Sequence, residues 1–162
     1  MCKGKPPGTP SAVLRAGEIV NVQFEGSARH GGGLCQFAIS YDNDKTFNVI
    51  QEIQGACPDG TSLPINIANH LANYVWPVKI PASLPSCDRC TFAWTWINAI
   101  GNREYYMNCA DVRIIGRMPF ANGVQGSRLR VANLPGYPTE QPPVRNGGPG
   151  ASRVEYFALN PY

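Results

Sequence analysis

Charge is scarce in this sequence. Only 15% of its 162 residues are Asp, Glu, Lys or Arg, and histidine appears twice. Residues 1–116 carry nine basic and nine acidic side chains, so the net charge of +3 comes from the remainder. There, Arg117, Arg128, Arg130, Arg145 and Arg153 stand against Glu140 and Glu155. Nucleic-acid binding calls for a dense Lys/Arg face, and five scattered arginines do not make one, so no nucleic-acid partner is expected. No apolar run approaches the ~20 residues that cross a bilayer as a helix, and no membrane partner is expected. The Asn-x-Ser/Thr sequon is missing too, which excludes N-glycosylation within these residues.

Glycine and proline, by contrast, are plentiful, at 17 and 15 residues, and 43% of the chain is hydrophobic. This balance favours short strands and frequent turns over long helices. The length fits one domain with a sizeable core.

Cysteine is present as an even set: Cys2, Cys35, Cys57, Cys87, Cys90 and Cys109. In a small β-rich chain this reads as three disulfides and an oxidising, extracellular compartment. Six cysteines allow 15 pairings, and spacing does not choose among them. Zinc would need two close pairs of ligands, and only Cys87 and Cys90 are close. A thioredoxin-type CxxC opens a helix, but TFAWTW follows here, which alternates like a strand. Cys87 and Cys90 therefore read as a local disulfide across a turn.

Alternation sets out the strands. EIVNVQFE places Val20, Val22 and Phe24 on one face. LCQFAISYD does the same with Cys35, Phe37, Ile39 and Tyr41. The polar turn DNDK returns the chain into TFNVIQEI, which makes a hairpin. NYVWPVKIP is broken by Pro77 and reads as an edge strand. TFAWTWIN lines up Phe92, Trp94 and Trp96, both tryptophans expected in the core. REYYMNCADVRII is the longest candidate, with Tyr106, Val112 and Ile114 on one parity. Residues 60–73 are the only room for a helix or loop excursion. The pattern predicts an all-β chain, an antiparallel β-sandwich of immunoglobulin or fibronectin-III type, over residues 1–116. Residues 117–162 hold seven prolines and six glycines and no cysteine, and read as an extended Pro/Gly-rich tail. SRLRVANLPGY and SRVEYFALNPY within it are apolar enough to require a surface to pack on.

His30 lies in SARHGGGLCQF. One histidine near glycines makes no metal site. However, SARHGGGLCQFAISYDNDKTFNVIQEIQGACP, with TFAWTWINAIGNREYYMNCADV downstream, resembles the fungal copper-dependent lytic polysaccharide monooxygenases, most closely the chitin-active group. The likeness covers roughly residues 2–115, by its HGGG, FAWTW and GNRE…YMNC stretches. It implies that His30 is the second histidine of a copper-binding histidine brace and Tyr106 the axial tyrosine beneath the metal. It implies that Glu104 is an acid that helps position oxygen or peroxide. It also implies disulfides Cys2–Cys109 and Cys35–Cys57, which leaves Cys87 to pair with Cys90. Imidazole suits a copper ion cycling between Cu(I) and Cu(II). Glycines after His30 let the backbone bend so that its ring reaches a flat surface, as a crystalline polysaccharide requires. His70 matches nothing in this pattern and reads as a loop histidine.

In this family the brace is completed by an amino-terminal histidine. The sequence starts MCKGKPPGTP, with neither that histidine nor a leader, although disulfides call for export. The true amino terminus is expected upstream of Met1, the core here being N-terminally truncated. Two functional classes follow. The first is a secreted copper monooxygenase that cleaves chitin or a related β-linked polysaccharide of the cell wall. The second is a non-catalytic extracellular protein on the same scaffold, which binds glycan or self-assembles into fibres or a surface layer through its tail.

Overall fold

The computed structural model describes residues 1–25, 30–55, 57–58, 74–101, 104–119, 124–140, 142 and 153–161. His70 and the excursion at 60–73 lie outside these residues. The strands are β1 (Ala12–Arg15), β2 (Ile19–Phe24), β3 (Gly33–Ser40), β4 (Asn48–Gly55), β5 (Tyr74–Lys79), β6 (Cys87–Asn98), β7 (Tyr105–Ile115), β8 (Val124–Gln125), β9 (Arg153–Tyr156) and β10 (Asn160–Pro161). Among the described residues the one helical element is a single 3-10 turn at Cys2–Gly4.

A six-stranded sheet in the order β1-β7-β6-β3-β4-β9 forms the main layer, and β2 and β5 pair as a second, smaller one. The alternation of the sequence becomes the two faces of the large sheet. Cys35, Phe37, Ile39, Trp96, Val112 and Ile114 meet Phe24, Trp76 and Val78 of the β2–β5 pair in the main core. The chain is therefore an all-β sandwich. It departs from a purely antiparallel one at β1, which pairs parallel to β7 with Leu14 beside Ile114. Buried Gln51 ties the layers together: its Oε1 accepts the Lys79 N–H at 3.1 Å and its Nε2 donates to the Pro77 carbonyl at 3.3 Å. Those are backbone groups of β5, which need partners once water is excluded.

The opposite face of the large sheet is covered by the chain beyond β8. Leu129 packs with Ala38, Phe47 and Ala93, and Ala132 packs with Leu34 and Ile97. The contact is also polar. The Arg130 N–H donates to Gln36 Oε1 at 2.8 Å, and the Arg130 guanidinium lies 4.0 Å from Glu52, a buried acid held by Gln36 at 2.6 Å. β9 then adds to the β4 edge, Glu155 opposite Glu52, and β10 pairs with β8. The described parts of the Pro/Gly-rich region thus find their packing surface on their own chain.

Three disulfides staple the fold: Cys2–Cys109, Cys35–Cys57 and Cys87–Cys90. The last differs in setting from the expected turn. It spans a register irregularity inside β6, where Cys87 pairs with Ile114 and Cys90 with Val112. The intervening Asp88 and Arg89 bulge outward and are exposed.

Candidate functional site

At one end of the large sheet β3 begins and β6 hands over to β7. Gly33 opens β3 at φ +136°, pressed so closely on β6 that a Cβ would overlap the Ile97 carbonyl oxygen. Only glycine tolerates that approach. Before it, His30 sits at φ +46° and Gly31 at +67°. The His30 carbonyl accepts the Ile100 N–H at 2.7 Å, and the Gly32 carbonyl accepts the Ala99 N–H at 3.1 Å and Trp96 Nε1–H at 3.2 Å. The glycine run thus bends the chain over the end of β6 and sets His30 beside it.

Trp96 is the platform. Its ring lies 5.7 Å from that of His30 and 4.9 Å from that of Tyr106, the latter pair stacked at 23°. The stack follows from register, because Trp96 and Tyr106 are cross-strand partners on β6 and β7. His30 and Glu104 side chains are 31% and 42% exposed, with Nε2 and Oε2 3.9 Å apart. Tyr106 donates its hydroxyl proton to the same Glu104 Oε2 at 2.5 Å. That hydrogen bond, then burial and the negative charge of Glu104, push the Tyr106 phenol up to about 12. The phenol therefore keeps its proton further into the alkaline range than a free tyrosine does.

The structure thus brings His30, Glu104 and Tyr106 into one half-exposed cluster. Among the described residues no group of three or more His, Cys, Asp or Glu side chains is placed to hold a metal ion. The cluster offers one imidazole nitrogen, one carboxylate and one phenol whose hydroxyl is already engaged. This fits one part of a copper site and is not a full set of nitrogen donors. Sequence reasoning assigned Trp96 to the core and missed that it supports both His30 and Tyr106. It also passed over Asn98, which is fully buried and bonds Glu104. The signal for Trp96 was its shared parity with Trp94; for Asn98 it was an amide ending an otherwise apolar strand.

No family model matches the chain. A cellulose-active polysaccharide monooxygenase from M. thermophila shares the fold: its crystal structure superposes at a TM-score of 0.51 with 19% identity, covering 75% of this chain and 60% of that one. Curated proteins are nearer in sequence. An AA11 family lytic polysaccharide monooxygenase A from Aspergillus fumigatus is 46% identical over 71% of this chain and 48% of its own length. A second, B, from the same species is 34% identical over 80% of this chain and 33% of its own length. A third, from Aspergillus oryzae, is 34% identical over 78% of this chain and 32% of its own. The chain thus spans from about a third to about half of the length of these relatives. With nearly half of its aligned residues shared with one of them and the fold shared with the solved structure, the chain belongs to the fungal lytic polysaccharide monooxygenase family.

Proposed function

We propose that the protein is a secreted, copper-dependent enzyme that cleaves glycosidic bonds oxidatively in chitin or a related β-linked polysaccharide. The observation that carries this reading is the convergence of His30, Glu104 and Tyr106 around Trp96 at the exposed end of the sheet. In it, His30 supplies one nitrogen ligand, and Trp96 fixes the plane of its ring. Tyr106, its hydroxyl proton held by Glu104, would face a metal bound beside His30 as a neutral, weak donor. Glu104, partly exposed beside His30, would hold or pass a proton. Copper, when bound, supplies one-electron chemistry, with an external donor providing electrons and oxygen or hydrogen peroxide the oxidant. The reading requires further nitrogen donors, which the family likeness assigns to an amino-terminal histidine of the mature protein. Three disulfides support export.

The test begins with intact mass and amino-terminal sequencing of the secreted protein from its natural source. A histidine at the mature terminus is expected. That protein, loaded with Cu(II) and given a reductant and chitin, should release oxidised oligosaccharides detectable by mass spectrometry, and His30→Ala should abolish both the release and tight copper binding. A mature terminus without histidine, or His30→Ala with unchanged copper affinity, would overturn the reading.

A further inference from the structure

Asn98 ends β6 beneath the site. It is fully buried. Its Oδ1 accepts the backbone N–H of Glu104 at 2.7 Å. Its Nδ2 donates to Glu104 Oε2 at 3.3 Å and to the Ile100 carbonyl at 3.4 Å. One carboxamide thus grips Glu104 twice, by backbone and by side chain, and holds the turn between them. Burying an amide is costly unless its hydrogen bonds are met, and an apolar side chain would fill this space without that demand. Among the described residues, the polar contacts of this amide go to Ile100 and Glu104, in the segment that carries the acid.

A glycine keeps the path to His30 open. A Cβ on Gly101, at φ +117°, would stand 3.1 Å from His30 Nδ1 and 3.3 Å from Asn98 Nδ2. The imidazole and the carboxamide therefore flank the same small gap. Ile100, which the Asn98 carboxamide also holds, packs its side chain over Gly31, where a Cβ would come within 2.5 Å of it. Both sides of the His30 turn are thereby tied to Asn98.

We infer that Asn98 is the positioning residue of this centre: its carboxamide fixes the Glu104 carboxylate against His30 and Tyr106, and so sets the surroundings of the His30 ring. The inference rests on reading His30 and Glu104 as one centre. A plain turn-stabilising role would leave the His30 ring indifferent to whether Glu104 has its carboxylate. A positioning role acts through that carboxylate and disappears with it.

The test uses the full 162-residue chain without metal. Amide hydrogen exchange at Glu104 and the ring resonances of His30 are followed by NMR in Asn98→Asp, Asn98→Ala, Glu104→Gln and the Asn98→Ala/Glu104→Gln pair. Asn98→Ala should speed exchange of the Glu104 amide about tenfold, the loss of one hydrogen bond. Asn98→Asp keeps the acceptor and should leave that amide protected, while it replaces the donor by a like charge and shifts the His30 ring. Adding Asn98→Ala to Glu104→Gln should move the His30 ring no further than Glu104→Gln alone, the non-additivity of residues acting in series. Equal and additive shifts, or an unmoved His30 ring in Asn98→Asp, would overturn the inference, and the latter still decides it if Asn98→Ala does not fold. The electron paramagnetic resonance spectrum of Cu(II) added to the mature protein then separates the two readings. Failure of the wild type to bind copper removes the proposed function and leaves the metal-free result on Asn98 standing.

Discussion

A single glycine decides whether the site can form. Gly33 sits at φ +136° with the Ile97 carbonyl where a Cβ would be, whereas Gly136, at φ +83°, has open space around it. Both carry backbone strain if replaced, but only Gly33 adds a clash with backbone that cannot swing aside. Gly33→Ala should lower unfolding free energy by about 3 kcal/mol or more and Gly136→Ala by about 1 kcal/mol. Urea denaturation would measure both, and equal losses would contradict the close approach at β3. Buried phenols make a second residue-scale prediction. Burial pushes Tyr41 well above its ordinary 10.0 and Tyr105 up to about 12. Each is raised in the folded state, so the neutral form is favoured there. Its stabilisation is complete below pH ~10 and is lost as pH rises through the folded values. Unfolding free energy should hold steady to pH ~10 and fall by pH ~12, and Tyr41→Phe, which removes a hydroxyl bonded to the Pro85 carbonyl, should flatten that fall.

Among the elements, the disulfides differ most in what they constrain. Cys2–Cys109 closes a separation of 107 residues and Cys87–Cys90 one of 3. By loop entropy the first contributes about 5 kcal/mol and the second about 2 kcal/mol. Replacing both cysteines by serine should therefore depress the melting temperature far more for Cys2/Cys109 than for Cys87/Cys90, as calorimetry would report. The strands themselves were legible because period-2 alternation is a direct consequence of a two-faced sheet. Phe92, Trp94 and Trp96 could be set on one face, and Cys35, Phe37 and Ile39 on its neighbour, without coordinates. β1 was not legible, since only Leu14 of its four residues is buried and its parallel partner lies 100 residues away. Nor was the short β9, whose identity comes from the β4 edge it joins. At the site, His30, Glu104 and Tyr106 were named from family likeness, not from pattern. Asn98 and the platform role of Trp96 escaped because both depend on which strands adjoin, which only the fold supplies.

For the whole molecule the question is whether residues 1–116 stand alone. Composition suggests that they do, with a Pro/Gly-rich appendage behind them. The packing argues otherwise. The outer face of the six-stranded sheet presents Leu34, Ala38, Ala93 and Ile97, and their cover includes Leu129 and Ala132 from the later region. Val124 and Leu159, also from that region, are buried in the main core. Removing these side chains withdraws on the order of 5 kcal/mol of apolar burial, before the ion pair of Arg130 with Glu52 and the β9 edge are considered. At about 2–4 °C per kcal/mol, truncation after Gly116 should lower the melting temperature by some 10–20 °C and expose dye-binding apolar surface. A truncated chain that melts within a few degrees of the full one would show instead that the later region is an appendage. The site offers a finer reading of the same variant. His30 lies at the end of β6, and Ala132 packs on Ile97, one residue before Asn98, so loss of the cover should also loosen the turn that carries Glu104. Faster amide exchange at Glu104 in the truncated chain would tie the outer layer of the sheet to the geometry of the centre.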